Sequence, residues 1–187
     1  TFRGDPTIVN VNDYFEENHS AYFAMEYLDG CNMRAQMQKS GGRIPVEMAT
    51  IMLVTVGSAL MDVHKFNILH RDISPENIFL TSNGSYKLID FGAARFFTSR
   101  ANKSLSVLLK PGFAPPEQYS SKGNQGPWTD VYGLAATYYY LVSGVKPLDA
   151  MDRLSGKPMA ALCDLCQGVS KKTSDAVNRA LALDYHA

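Results

Sequence analysis

The spacing of apolar residues near the start of the chain predicts β-structure. β-branched and aromatic residues cluster at residues 8–11 and again at 22–27, on either side of a polar stretch at residues 16–19 that suits a hairpin turn. Two further short apolar runs within residues 78–89 flank the pair Asn83-Gly84, which is a strong hairpin signal. Two antiparallel hairpins are therefore predicted.

Helical spacing of apolar residues predicts helices along the rest of the chain. Residues 45–65 begin with Pro45, whose missing N–H suits the first position of a helix. The buried face of this helix is predicted from the residues that recur at helical spacing, namely Ile51, Val54, Thr55, Ser58 and Met61. Residues 130–143 are apolar on nearly every side, which predicts a central buried helix that ends at Gly144. Shorter helices are predicted over residues 32–39, 158–166 and 172–183. The pattern indicates an α+β fold that is mostly α.

Composition narrows the classes of partner. The chain has 187 residues, 45% of them hydrophobic, which is enough to bury the core of one domain or a large part of one. Eighteen basic and eighteen acidic side chains cancel, so no excess positive charge is available to bind a phosphate backbone. We therefore expect no nucleic acid partner.

The chain shows no signal for export. No apolar run is predicted to be long enough to cross a bilayer, and residues 1–12 lack the pattern of a signal peptide. Three cysteines without a disulfide spacing agree with a reducing compartment, and Cys163 and Cys166 lack the second ligand pair of a zinc site. We expect a cytoplasmic domain with no membrane segment of its own, although a longer parent protein could be anchored elsewhere.

One segment carries the residue types that phosphoryl transfer requires. That chemistry needs a carboxylate at the attacking hydroxyl and hard oxygen ligands for the Mg²⁺ that binds the phosphates. The sequence His70-Arg71-Asp72 through Asn77 brings a carboxylate and an amide onto one loop. Asp90 follows directly after a predicted strand, where it can point into the same cleft.

This segment resembles the catalytic loop of protein kinases. Asp90-Phe91-Gly92 resembles their metal-binding motif, and Pro115-Pro116-Glu117 resembles the end of their activation segment. The stretch that begins at Asp130 resembles their buried anchoring helix, and Met25 to Leu28 resembles their hinge. The agreement of these motifs with the family's order makes an accidental match improbable. The context of Phe113 and Gln118 resembles bacterial serine/threonine kinases in particular.

The resemblance implies a protein-kinase-like large lobe with a remnant two-stranded antiparallel piece of the small lobe. Residues 1–28 would form the small-lobe remnant and hinge, and residues 29–187 the large lobe, truncated at both ends. The cofactors implied are ATP and Mg²⁺ or Mn²⁺, and the implied second substrate is a protein.

The resemblance also assigns roles residue by residue. Asp72 would orient the substrate hydroxyl, while Asn77 and Asp90 would hold the metal. ATP would be bound by Met25, Glu26, Leu28, Phe79, Ile89 and Asp90, with the adenine on backbone groups of the hinge. Residues with structural or activation-segment roles would be His70, Arg71, Phe91, Gly92, Glu117 and Asp130. Arg71 would pair with an acidic or phosphorylated residue of the loop that follows Gly92.

The sequence departs from the family at two positions together. Most serine/threonine kinases have a lysine two residues after the catalytic aspartate and a threonine in the activation segment. This chain has Ser74 and Lys110 at those positions. We hypothesise that Lys110 reaches back toward Asp72 and the γ-phosphate while Ser74 supplies the bridging hydroxyl. The alternative is that Lys110 lies in a solvated loop and the site is weakened.

A second departure is an absence. The 187 residues contain no glycine-rich phosphate loop and no preceding strand lysine with its helix glutamate. We therefore expect these residues to be inactive alone, even if they come from an active serine/threonine protein kinase. Two alternatives are a pseudokinase that only binds partners, and a small-molecule kinase of related fold such as those acting on antibiotics or choline.

Overall fold

A computed structural model describes residues 5–91, 95–96, 109–120 and 122–186. Helices dominate these residues, as the sequence predicts. The strands are β1 Val11–Glu17, β2 Ser20–Met25, β3 Gly30–Asn32, β4 Ile68–Leu69, β5 Ile78–Thr81, β6 Tyr86–Leu88 and β7 Arg95–Phe96. The helices are α1 Met33–Lys39, α2 Val46–Lys65, α3 Pro127–Ser143, α4 Ala150–Leu154, α5 Leu162–Leu165 and α6 Lys171–Ala180.

The first hairpin pairs β1 with β2 around a two-residue turn. Asn18 and His19 both have positive φ, of 51° and 59°, as a turn between twisted strands requires. The hairpin was predicted, but its first strand was placed too early. Residues 7–9 instead lie against β6, where the Val9 N–H donates to the Leu88 carbonyl at 3.0 Å.

The second sheet has the order β3-β5-β6. Its β5–β6 hairpin is confirmed, with Gly84 at φ 85° in the turn. Strand β3, which is three residues long, was not predicted from the sequence. A Cβ on Gly30 would lie 2.1 Å from the Leu80 carbonyl oxygen, so glycine is required for this close strand pairing.

Helix α2 buries a different face from the one predicted. Pro45 is its N-cap rather than its first residue, and the predicted face residues Ile51, Val54 and Met61 are 60%, 65% and 62% exposed. The buried residues are Ala49, Met52, Val56, Ala59, Leu60 and Val63. The prediction was wrong because α2 carries two apolar stripes, and helical spacing alone does not say which of them faces the core.

Helix α2 also corrects the expectation about membrane-length segments. It is long and apolar enough to cross a bilayer by length and composition, and it is the one such helix among the described residues. The core helix of a protein outside membranes passes the same test, and 33% of the qualifying window is buried inside the structure.

Helix α3 forms the centre of the structure. It begins at Pro127, earlier than predicted, with Gly126 as N-cap, and Thr129 accepts a hydrogen bond from the Gly126 N–H at 3.3 Å. Almost every residue is buried, and Gly144 ends the helix at φ 72°, as predicted. The loop after β4 packs closely against α3, where a Cβ on Gly133 would lie 3.0 Å from the Ile73 Cβ.

The smaller helices follow the predictions in part. The helix after Asn32 is confirmed, with the Asn32 Oδ1 accepting from the Ala35 N–H at 2.8 Å. The last two helices, α5 and α6, are shorter than predicted, and α4 was missed because it is only five residues long. The three cysteines, Cys31, Cys163 and Cys166, are free thiols.

Candidate active site

A buried carboxylate fixes the loop that follows β4. Asp130, 1% exposed at the start of α3, accepts the backbone N–H groups of His70 and Arg71 at 2.9 and 2.7 Å. His64, at the end of α2, contacts the same carboxylate through Nε2 at 2.7 Å. Three donors therefore satisfy one buried charge, which removes the main cost of placing it there. They also hold Arg71 at φ 70°.

His70 is held in a single neutral form. Its Nε2 lies 3.0 Å from the Ile89 carbonyl, so that nitrogen carries the proton and donates, while Nδ1 accepts from the Asp72 N–H at 3.3 Å. The side chain is fully buried against Phe91, with ring centroids 4.6 Å apart. Burial lowers the pKa of His70, and the nearby Asp130 carboxylate opposes this shift only in part.

Asp72 lies at the centre of a polar cluster. Asn77 donates through Nδ2 both to the Asp72 backbone carbonyl at 2.7 Å and to Asp72 Oδ2 at 2.8 Å. Lys110 donates through Nζ to the same Oδ2 at 2.9 Å and to Ser74 Oγ at 2.9 Å. The four predicted residues Asp72, Ser74, Asn77 and Lys110 are thus brought together.

The turn after Lys110 aims its side chain inward. The Lys110 carbonyl accepts the N–H groups of Phe113 and Ala114 at 2.9 and 3.1 Å. Gly112 lies between Lys110 and Phe113 at φ 86°, and a Cβ there would be 2.5 Å from the Pro147 carbonyl oxygen. The ammonium is only part-exposed, so its contact with Asp72 is better shielded from solvent than a surface ion pair.

The β5–β6 hairpin sets Asn77 beside the strand that leads to Asp90. The Ile89 N–H donates to the Asn77 carbonyl at 2.9 Å, one residue before Asp90. Asp90 has φ 62° and an exposed side chain. The pairing therefore carries an amide and a carboxylate to the same end of the sheet.

The predicted ATP-binding residues are spread over two sheets. Met25 ends β2 and is exposed, and Leu28 is half-buried between β2 and β3. Glu26 donates its backbone N–H to the Asn10 carbonyl at 3.0 Å, which holds the segment after β2. Phe79 and Ile89 lie on and after the β5–β6 hairpin, half-buried.

Lys87 was missed in the sequence. Its ammonium lies 2.6 Å from Glu26 Oε1, which joins the segment after β2 to the sheet that carries Asn77. This contact is the main reason that the pKa of Glu26 is lowered. No local pattern marks Lys87, because its partner is distant in the sequence.

Comparisons with known proteins identify the family to which this chain belongs. The family model for the protein kinase domain matches residues 2–181 of this chain. The chain belongs to the protein kinase family. Its relatives include a probable serine/threonine-protein kinase of Clostridium perfringens, 35% identical over 78% of this chain and 21% of that protein. The kinase PrkC of Bacillus subtilis is 33% identical over 80% of this chain and 23% of that protein.

A solved structure agrees with the family assignment. The apo form of PpkA-294 superposes with a TM-score of 0.81 at 32% identity, over 98% of this chain and 64% of that one. The resemblance to bacterial serine/threonine kinases and the partial kinase fold, α+β and mostly helical, are confirmed. The chain spans about a fifth of the length of the two curated relatives above.

Residues predicted to have structural or activation-segment roles lie around the same loop. Arg71 donates through Nε to Gln125 Oε1 at 2.6 Å, and its carbonyl accepts from Gln118 Nε2 at 2.8 Å. Glu117 accepts from Thr129 Oγ1 at 2.8 Å, and burial raises its pKa. Gly92 and most of the loop expected to pair with Arg71 lie outside the described residues.

The buried neutral His70 should make this kinase domain less stable in acid. As pH falls below about 6.5, the unfolded chain protonates this histidine and the folded chain does not, so the free energy of unfolding declines by up to about 1.4 kcal/mol per pH unit. Urea unfolding between pH 5 and 7 measures this slope. His70→Gln should flatten the slope, whereas His19→Asn in the exposed turn should leave it unchanged. An equal slope in His70→Gln would contradict the assignment.

Proposed function

We propose that the protein containing these residues is a serine/threonine protein kinase that transfers the γ-phosphate of ATP to a protein hydroxyl. The observation that carries the proposal is the Asp72 carboxylate, held by Asn77 at 2.8 Å and by Lys110 at 2.9 Å. The relatives named above, which are described as serine/threonine kinases, support a protein substrate.

Asp72 would orient the attacking hydroxyl. Within the described residues, the side-chain contacts of Asp72 fall on Oδ2, which leaves Oδ1 to accept the substrate O–H. A fixed acceptor at this point reduces the entropy lost in aligning the hydroxyl with the phosphate. Neutral His70, which accepts the Asp72 N–H, would keep this loop from shifting.

Asn77 and Asp90 fit a magnesium ion. Both side-chain amide hydrogens of Asn77 are donated to Asp72, so the side-chain oxygen Oδ1 of Asn77 is the atom left for a cation. One carboxylate and one amide oxygen, completed by phosphates and water, suit Mg²⁺, which rarely has an all-protein cage. When bound, the ion would neutralise charge on the phosphates.

The adenine would lie between the hinge and the second sheet. Its hydrogen-bonding partners would be backbone groups of Glu26 and Leu28, with Met25 behind it and Phe79 and Ile89 below. The Glu26–Lys87 ion pair supports this proposal, because it fixes the segment after β2 to β6.

Lys110 would replace the lysine that most family members have at position 74. Its ammonium contacts both Asp72 and Ser74, so the positive charge occupies the space between the catalytic carboxylate and the Ser74 hydroxyl. There it would offset the charge that develops on the transferring phosphoryl group. The hydroxyl of Ser74, fully buried, would in turn orient the ammonium.

We also propose a cytoplasmic location for the domain. Free thiols and a net charge of zero support this location, since they suit a reducing compartment and give no attraction to an anionic membrane surface.

A polypeptide of residues 1–187 should transfer no phosphate from ATP, because it has no glycine-rich loop or strand lysine to hold the phosphates. A longer natural chain that supplies both should phosphorylate protein in the presence of Mg²⁺. In that chain, Asp72→Asn should lower kcat by about 10²- to 10⁴-fold. Transfer of labelled phosphate from ATP to protein measures the activity of residues 1–187, of the longer chain and of its Asp72→Asn variant. Asp175→Asn on the surface of α6 is the control. Sustained turnover by residues 1–187 would refute the expectation.

The exchange of Lys110 and Ser74 can be reversed by mutation in the active protein. Lys110→Thr should lower kcat by about 10²-fold, since it removes a charge aimed at the phosphoryl group. The double variant Lys110→Thr with Ser74→Lys should recover most of the loss, while Lys172→Thr on the surface should have no effect. Wild-type kcat in Lys110→Thr, or no recovery in the double variant, would reject the exchange.

A further inference from the structure

One face of α2 remains exposed although it is apolar. Ile51, Val54 and Met61 are 60%, 65% and 62% exposed, and Ser58 lies between them on the same stripe. The opposite face of the helix fills the core, so this stripe lies outside the core. Its positions recur at alternating intervals of three and four residues, which is the spacing of a helix-pairing seam.

Charged residues extend the stripe at both ends. Glu47 precedes Ile51 by four residues and Lys65 follows Met61 by four residues, and both side chains are exposed. The six positions 47, 51, 54, 58, 61 and 65 are therefore separated by four, three, four, three and four residues. This order reads the same in both directions, and the charges at its two ends are opposite.

We propose that this stripe, the α2 seam, pairs with the α2 seam of a second copy of the chain in antiparallel orientation. A two-fold axis that crosses the seam midway between Val54 and Ser58 would set Glu47 of one copy against Lys65 of the other. The same axis would set Ile51 against Met61 and Val54 against Ser58. The small Ser58 leaves room for the valine, so large and small side chains alternate across the pair. Such an interface is self-complementary, as two-fold symmetry requires.

Charge selects the antiparallel arrangement. A parallel pair would bring Glu47 against Glu47 and Lys65 against Lys65, and like charges facing each other across an interface disfavour association. In the antiparallel pair each end carries one acidic and one basic residue. Lys65 already contacts Asp62 within its own helix at 2.6 Å, which holds the ammonium at this end of the seam.

A lipid surface fits the seam less well than a second copy does. Helices that lie on membranes carry many basic residues beside their apolar face. Along this face of α2 the charged residues are Glu47, Asp62 and Lys65, so the face has no basic excess. The β1–β2 hairpin is a separate exposed apolar surface, with Phe23 63% exposed, and any test must separate the two surfaces.

Sedimentation equilibrium of the purified chain should show a monomer and dimer in exchange, with a dissociation constant in the range of about 1–100 μM, as suits a small interface. Val54→Glu should raise this constant by about tenfold or more, because it buries an unpaired charge at the centre of the seam. Phe23→Glu introduces the same charge on the β1–β2 hairpin and should leave the dissociation constant unaltered. Circular dichroism checks that both variants remain folded.

Charge exchange at the ends tests the orientation. Glu47→Lys and Lys65→Glu should each weaken self-association by about tenfold, because each creates like-charge pairs at both ends. A mixture of the two variants should recover dimers, because each end of the mixed dimer then pairs a lysine with a glutamate. The double variant should also recover the wild-type constant.

Three results would overturn the proposal. One is a chain that stays monomeric at about 100 μM. Another is a dimer that Val54→Glu leaves intact. The third is a monomer that sediments with phosphatidylcholine vesicles and loses this binding in Val54→Glu, which would assign the seam to lipid.

Discussion

The arrangement of the site depends on the hydrogen bonds that the buried Asp130 carboxylate accepts. This carboxylate sits at the start of the central helix α3 and accepts backbone N–H groups from two successive residues of the loop after β4, His70 and Arg71. A loop has no ladder of its own to satisfy its backbone, so a side chain must do so where the loop is buried. The rigid helix thereby fixes the starting point and direction of the loop.

The rest of the site follows from that fixed point. His70 is buried in neutral form, and its two ring nitrogens hydrogen-bond to the backbone of Ile89 and of Asp72. The fixed position of His70 therefore restrains the backbone at both residues. Asp72 in turn accepts hydrogen bonds from Asn77 and Lys110, which come from different parts of the chain. The partly buried cluster around Asp72 is thus supported by the neutral His70 and the charged Asp130, each with its hydrogen bonds satisfied.

The sequence was most informative where chemistry requires particular residue types at short spacing. Asp72, Asn77 and Asp90 could be singled out because phosphoryl transfer requires carboxylate and amide oxygens, and the hairpin turn at Gly84 because Asn-Gly has a strong conformational preference. The contact between Lys110 and Asp72 followed from the paired departure at position 74. The roles of these residues in catalysis stay predictions.

Features set by distant partners could not be predicted. His64 and Lys87 act through contacts with Asp130 and Glu26, each about sixty residues away in sequence, and no local pattern marks them. The buried face of α2 was misassigned because the helix has two apolar stripes and only its packing partner distinguishes them. The second stripe, centred on Val54, is the surface for which we propose a second copy of the chain.

Hydrogen exchange at the backbone of His70 and Arg71 tests the central claim most directly. In the wild-type chain both amides should exchange slowly, since each donates to a buried carboxylate. Asp130→Asn replaces one acceptor oxygen with a donor and should speed exchange of at least one of them by about tenfold or more, while amides in the middle of α3 stay protected. Unchanged protection of both amides in Asp130→Asn would contradict the account.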